Sequence, residues 1–480
     1  MGKNRNPEWV TAKGERMNYY LYFCGQNIIY SLVTTYLVTF LLFQGVDPAK
    51  SAVVMLAVKV WDAVNDAIFG CVFDRVHFKS GLKFIPWLRV SLLGIPLTTI
   101  LLFFIPKSNG SNEALQLAWF AIAYILWDTA YTLCDVPIFG YVTAMTNRLD
   151  ERTSLQSYKS IWSGIGSGIA MILGTIFVNQ QFGLSYGIVA IVCSAVAFLT
   201  MAPICFKGKE RYKGEDDESF TVKSMFKYLF SNKYLLIYYV GYFFFSAFNV
   251  SNNLNLFVSY YLFDNENFSL FVGALSVIPM AIFSFLVPKF ISRFDKMKIY
   301  MLCTVLSVVL GVATWLVGYH NVILFVILTI LKNVPAGVMG VMLFMFTPDC
   351  AEYGKFKTGI DAKGITFAIQ TFMVKLTAAV SSALPLTLLG FFKWQTVNAE
   401  SFKELSENPV IQSEYTLNGL WFIYTMLPAI GLALAGVIWY FYKMKDNDVQ
   451  LMTDCNIGKI SREEALEGLS IKDEFVNKNN

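Results

Sequence analysis

The sequence predicts an all-α integral membrane protein, with about twelve transmembrane helices arranged in two six-helix halves. Three observations carry this prediction. Of 480 residues, 55% are hydrophobic and only 15% are charged, where an ordinary soluble chain has roughly 25% charge. The mean hydropathy is +0.51. Lys and Arg collect in every second loop between long apolar runs, as expected of a chain threaded through a bilayer. A soluble protein of this length would need more charge to coat its surface.

Each bilayer crossing needs about 20 mostly apolar residues. Runs of that kind lie at roughly 17–43, 49–73, 84–106, 114–141, 153–178, 184–205, 233–263, 268–291, 298–318, 322–348, 362–391 and 416–443. The N-terminal M-G-K-N-R-N-P-E-W-V has neither an apolar core nor a cleavage site, so it does not read as a removed signal peptide.

Loop charge orients the chain. The loops after the even-numbered spans carry Arg75, Lys79, Lys83 and Arg89; Arg148, Arg152 and Lys159; the basic run from Lys207 to Lys233; Lys289, Arg293, Lys296 and Lys298; and Lys355, Lys357 and Lys363. The alternate loops hold only Lys50, Lys107, Lys393 and Lys403. Basic residues stay on the cytoplasmic side. A multi-pass protein of the cell (inner or plasma) membrane, with both termini cytoplasmic, is therefore expected.

The longest basic loop, 206–232, contains K-G-K-E-R-Y-K-G-E-D-D-E-S and separates an N-terminal half, 1–205, from a C-terminal half, 233–443. Each half repeats a basic, turn-rich loop after its second span, D-R-V-H-F-K-S-G-L-K at 74–83 and S-R-F-D-K-M-K at 292–298. Two similar halves joined by a charged loop suggest the major-facilitator fold, whose halves rock around a central site. The tail, 444–480, is polar and of mixed charge; it reads as a short helix or a disordered segment with no evident chemistry.

Several function classes drop out. The net charge of +4 is spread over loops rather than gathered into a nucleic-acid-binding stripe. The eight cysteines form no C-x-x-C pair, and the two histidines, His77 and His320, are far apart. Zinc chemistry and a His-based triad are thus unsupported. No P-loop or G-x-G-x-x-G is present, so no nucleotide cofactor is expected, nor any enzyme activity. A sensor should append a signalling domain, for which the tail is too short.

Ionisable groups inside a membrane are costly and mark function by default. The second span carries Lys59, Asp62 and Asp66 in A-V-K-V-W-D-A-V-N-D-A-I-F-G, and the fourth carries Asp128 and Asp135 in Y-I-L-W-D-T-A-Y-T-L-C-D-V-P-I-F-G. Lys332 and Lys375 stand in the tenth and eleventh spans. Asp62, Asn65 and Asp66 share one helix face, and Asp128, Tyr131, Thr132 and Asp135 share another. If these faces meet, carboxylates, an amide and a hydroxyl surround a small volume suited to Na⁺ or to a shared proton. The plainer alternative is a structural ion-pair network, Lys59 with Asp62 and Lys375 with any of the acids. Four acids on two spans exceed what helix gluing needs, which favours the cation site.

Asp74 and Arg75, ending the second span, read as a conformational latch rather than a substrate site. Gly164, Gly166 and Gly168 are expected to permit close helix packing. Pro137, Pro279 and Pro335 are expected to kink their helices. Lys332 is expected to snorkel or pair locally. Tyr131 and Phe139, on the Asp135 face, are the aromatics placed to stack on a sugar.

K-V-W-D-A-V-N-D-A-I-F-G at 59–70, Y-T-L-C-D-V-P at 131–137, D-C-A-E-Y-G-K-F-K-T-G at 349–359 and Q-T-F-M-V-K at 370–375 resemble the glycoside-pentoside-hexuronide:cation symporters, in the family's order and spacing. The resemblance implies that Asp62, Asn65, Asp66 and Thr132 bind the coupling cation. It implies sugar binding by Gln26, Asn27, Tyr131, Asp135, Phe139, Lys159, Gln370, Thr371 and Lys375. The sequence also departs from the family's best-known member. Asn27 replaces a sugar-binding aspartate, Phe139 and Gly340 replace pocket tryptophans, Lys159 replaces an arginine, and Asp128 is an additional acid. The expectation is symport of a small carbohydrate with Na⁺ or H⁺ by a monomer in the bilayer, Asn65 and Thr132 favouring Na⁺. The rival is a cation-coupled lipid or lysolipid transporter of the same fold.

Overall fold

The computed structural model describes residues 9–76, 78, 80–106, 112–212, 222–360 and 362–476. His77, Lys79 and Lys107 fall outside the described residues, as do the side chains of Asp66, Asp74 and Arg75. Among the described residues the secondary structure is helical apart from one isolated bridge, Gln44 with Asn398. The chain divides into two compact units, Met1–Asp217 with Lys393–Gln412, and Glu218–Phe392 with Ser413–Asn480.

The first unit contains α1 (Lys13–Leu42), α2 (Pro48–Arg75), α3 (Ile85–Leu102), α4 (Glu113–Met145), α5 (Leu149–Ile176) and α6 (Tyr186–Lys207). Four of these, α1, α3, α4 and α6, are long and apolar enough to cross a membrane. The other two, α2 and α5, have 28 residues each, ample for a crossing, but polar residues dilute their hydropathy. Asp47 caps α2, its carboxylate accepting from the Lys50 amide at 3.0 Å, and Pro48 opens the first turn.

Helix α1 packs along α5 and α6. A Cβ on Gly166 would strike the Cys24 carbonyl, one on Gly174 the Tyr36 ring, and one on Gly25 the Thr200 side chain. Polar rungs join α1 to α5 as well: Ser31 donates to Ser167 at 2.8 Å, and the Tyr36 hydroxyl donates to the Met171 carbonyl at 2.7 Å. Of the three glycines expected to permit packing, only Gly166 does so; Gly164 and Gly168 have nothing within 4 Å of a built Cβ. The helical period turns them off the contact face.

The basic end of this unit is tied by two acids, one half-buried and one buried. Glu210 accepts the amides of Lys83, Phe84 and Ile85 at 2.7, 2.9 and 2.7 Å, filling donors that the start of α3 leaves open. Glu151, 3% exposed, accepts from the Val10 and Thr11 amides and the Thr11 and Thr146 hydroxyls.

The second unit contains α7 (Val222–Ser231), α8 (Lys233–Ala247), α9 (Ser251–Phe263), α10 (Phe268–Ile291), α11 (Lys296–Val317), α12 (Val322–Met342), α13 (Phe346–Thr358) and α14 (Lys363–Phe391). After α15 (Phe402–Glu407), which belongs to the first unit, come α16 (Glu414–Trp421), a π-helical turn at Phe422–Met426 and α17 (Leu427–Trp439). Six crossings fit here: Lys233–Phe263, α10, α11, Val322–Thr358, α14 and Glu414–Trp439. Three of them are interrupted, between α8 and α9, between α12 and α13, and by the π-turn. Where α8 gives way to α9, the Ser251 hydroxyl donates to the Tyr424 carbonyl and the Tyr424 hydroxyl to Asn255, each at 2.8 Å. The π-turn thus supplies partners to the break, the usual remedy for interrupted membrane helices. The core behind them is aromatic: Tyr234, Tyr238, Tyr239, Tyr300 and Trp439 are each at most 1% exposed.

Three segments differ from the sequence expectation. Residues Lys393–Gln412, which sequence order puts in the C-terminal half, cluster with the first unit. The Gly45 amide donates to Val397, Ala399 to Phe43 and Phe402 to Val178 at 2.8–3.0 Å, and the Phe402 ring packs on Phe43. Within the basic linker, residues 222–231 form α7. The described part of the tail, residues 444–476, forms three helices rather than one: α18 (Asp446–Asn456), α19 (Arg462–Gly468) and α20 (Asp473–Val476) dock on the second unit. Glu474 accepts from Lys233, Tyr234 and Tyr353, and Phe475 packs on Tyr353 and Phe356. Met452, Ala465 and Leu469 join the core.

Candidate cation and sugar sites

Helix α4 carries both candidate sites of the first unit. Asn65 on α2 is fully buried, and its amide nitrogen donates to the Asp128 carboxylate at 3.1 Å and the Thr132 hydroxyl at 2.8 Å. Asp128 and Thr132 are 5% and 4% exposed, one turn apart on α4. The Thr129 hydroxyl lies 3.5 Å from the Asn65 amide oxygen. An amide, a carboxylate and two hydroxyls are thereby gathered where α2 crosses α4. These are hard oxygen donors, suited to a small monovalent cation and, at the carboxylate, to a proton. Among the described residues no three of His, Cys, Asp and Glu assemble as metal ligands.

Of the expected cation residues, Asn65 and Thr132 are brought together, while half-buried Asp62 stands one turn before Asn65. The family resemblance did not assign Asp128 to the cation set. Its signal was present, since Asp128 and Thr132 stand at i and i+4. Lys59 rests over the Tyr124 ring, 5.0 Å from its centre.

The second cluster joins α1, α4 and α5. Gln26, 1% exposed, donates its amide to the Asp135 carboxylate at 2.6 Å. The Lys159 ammonium lies 4.2 Å from the centre of the Phe139 ring and 4.8 Å from that of Phe23, and the two rings meet edge to face at 5.4 Å. Asn27 donates to the Ser163 hydroxyl at 3.0 Å and the Phe23 carbonyl at 2.9 Å. Six expected sugar residues, Gln26, Asn27, Tyr131, Asp135, Phe139 and Lys159, thus lie on three mutually contacting helices.

The stacking expectation changes. Tyr131 already stacks on Tyr30 at 5.4 Å and on Trp127 at 5.3 Å, so neighbouring rings occupy its faces. Phe139 carries Lys159 over its ring. Half-exposed Tyr30, one turn after Asn27, is an aromatic that the sequence reading passed over.

Gln370, Thr371 and Lys375 stand on α14 of the second unit, where the Tyr239 hydroxyl donates to Gln370 at 3.5 Å. Thr371 is exposed and Lys375 half-buried.

The helical architecture is that of the major-facilitator carriers. A bacterial homologue of the human lysosomal transporter Spinster, solved in an inward-facing unoccupied state, superposes with a TM-score of 0.66 at 10% identity, over 90% of this chain and 97% of its own. Residues 20–446 match the family described as MFS/sugar transport protein, and the chain belongs to that family. It is a multi-pass membrane sugar transporter. Among its relatives, the uncharacterized symporter YnaJ of Bacillus subtilis is 24% identical over 89% of this chain and 90% of its own length. The isoprimeverose transporter of Lactiplantibacillus pentosus is 22% identical over 94% of this chain and 93% of its own.

Proposed function

We propose that this transporter couples the uphill uptake of a small glycoside, pentoside or hexuronide to a cation, Na⁺ or H⁺, by alternating access. The observation that carries the proposal is the double use of α4. Asp128 and Thr132 bond to Asn65 on α2, and Asp135, one turn further along, bonds to Gln26 on α1. A cation entering the first cluster adds positive charge beside buried carboxylates, whose ionised form is costly in a low-dielectric interior. The same event steadies α4, and with it the carboxylate that accepts sugar hydroxyls.

Coupling of this kind is reciprocal, so sugar tightens cation binding by the factor by which the cation tightens sugar binding. Entry of one cation down the membrane potential contributes about 2.3 kcal/mol per 100 mV. In this reading Asp62, Asn65, Asp66, Thr132 and Asp128 form the cation site, Gln26, Asn27, Asp135 and Lys159 the first unit's share of the sugar site, and Asp74 and Arg75 a latch. Both termini are cytoplasmic, and the chain works as a monomer.

The test is a thermal-stability panel on the purified protein: neutral glycosides, pentosides, uronides and lysolipids, each with and without Na⁺ and at two pH values. A carbohydrate whose stabilisation grows with Na⁺ or with acid, and whose cation response disappears in Asp62→Cys, is the expected result. Stabilisation by lysolipid alone would move the protein to the rival lipid-transport class. An unchanged cation response in Asp62→Cys would remove the proposed cation site.

A further inference from the structure

The second unit contains a cavity of about 370 Å³ that no step of sugar transport uses. It lies among α10, α11 and α12, lined by Phe283 and Phe290, Leu302 and Leu306, and Pro335 and Val338. Its size falls within the range of small-ligand sites, about 300–1,000 Å³. Phe283, Leu302 and Leu306 are 40%, 61% and 45% exposed, so the cavity opens on the outer face of these helices rather than into a packed core. All three helices are long and apolar enough to cross a membrane, so an exposed apolar face on them is suited to contact with lipid.

The long axis of the cavity is set by α11. Lys298 lines its aqueous end, in the first turn of that helix, and Leu306 stands eight residues deeper. At 1.5 Å per residue that is about 12 Å, from headgroup depth into the hydrocarbon.

The aqueous end is cationic. Lys289 sits in the last turn of α10, Arg293 follows that helix, and Lys298 begins the next. None of the three has a carboxylate partner among the described residues. The acids nearby are engaged elsewhere: Asp349 and Asp446 hold Lys296, while Asp295 accepts from the Met297 and Asp446 amides. An apolar slot ending in unneutralised cations matches a lipid whose chain is apolar and whose headgroup is anionic. Basic pockets between spans bind such headgroups.

We propose that this groove holds one anionic phospholipid of the adjoining leaflet, an acyl chain lying along Leu302 and Leu306 and the phosphate at Lys298. The site is independent of the sugar and cation assignments.

The experiment is native mass spectrometry of the delipidated full-length protein, offered phosphatidylglycerol or phosphatidylcholine with the same chains. Phosphatidylglycerol should be retained preferentially. Lys298→Gln should cut that preference about five-fold, the effect of one lysine beside an anionic surface. Leu302→Trp, which fills the slot, should lower retention of both lipids while gel filtration and helical content stay unchanged; if that variant misfolds, Leu306→Trp replaces it. Equal retention of the two lipids, or retention insensitive to both kinds of substitution, would mean annular lipid only and would overturn the proposal. So would a thermal shift produced as well by inorganic phosphate as by phosphatidylglycerol.

Discussion

Asn65 shows what a single polar side chain does inside a membrane helix. Its amide supplies the donors that the buried Asp128 carboxylate and Thr132 hydroxyl face. Asn65→Ala should cost about 1.5–3 kcal/mol, the range for a hydrogen bond to a charged group, and should abolish stabilisation by Na⁺. Asp128→Asn removes the charge but keeps the shape, so the protein should no longer respond to the cation. Melting curves of both variants with and without Na⁺ check the pair. Lys159 gives a second residue-scale prediction. Its two ring contacts are worth about 0.5–2 kcal/mol, so Lys159→Arg should retain sugar-dependent stabilisation and Lys159→Ala should weaken it. The sequence showed that these residues share helix faces. It did not show that Tyr131 has its ring covered, because Tyr30 arrives from another helix.

At the scale of the element, three glycines with the same sequence appearance have different jobs. Gly166→Ala puts a methyl group into the Cys24 carbonyl and should push α1 from α5, costing about 1–3 kcal/mol as overpacking does. Gly164→Ala and Gly168→Ala meet open space and should be neutral or stabilising by up to ~1 kcal/mol, the helix-propensity gain over glycine. Thermal unfolding of the three variants in one detergent distinguishes them. A spacing of two residues rotates a helix by about 200°, so alternating glycines cannot all face one neighbour. Glu210 is the corresponding case at a helix start. Glu210→Ala strips a carboxylate from three amides and should destabilise the first unit by about 1–2 kcal/mol, as loss of a strong cap does.

At the scale of the molecule, the tail belongs to the second unit's packing. It contributes Met452, Ala465 and Leu469 to a buried core and Glu474 to a cluster with Lys233, Tyr234 and Tyr353. Truncation after Lys445 should therefore expose apolar surface on that unit and lower its melting temperature. Glu474→Ala should leave the fold intact but speed proteolysis of the last helix, read by limited digestion. The exposed Lys233 contact adds little, since exposed pairs contribute about 0–1 kcal/mol; the two tyrosine hydroxyls matter more.

Composition and loop charge alone determined that this chain crosses a membrane many times, because lipid admits only segments that satisfy their own backbone and penalises charge within them. Local order in the chain also placed the acids on α2 and α4, since helical period is a local property. Which acid Asn65 would meet, which glycine touches its neighbour and where the tail and the segment Lys393–Gln412 settle depended on contacts between residues far apart in sequence. Those contacts follow from the relative rotation and depth of whole helices. Rotation and depth are set jointly by every helix in the unit, and only the tertiary structure holds that information.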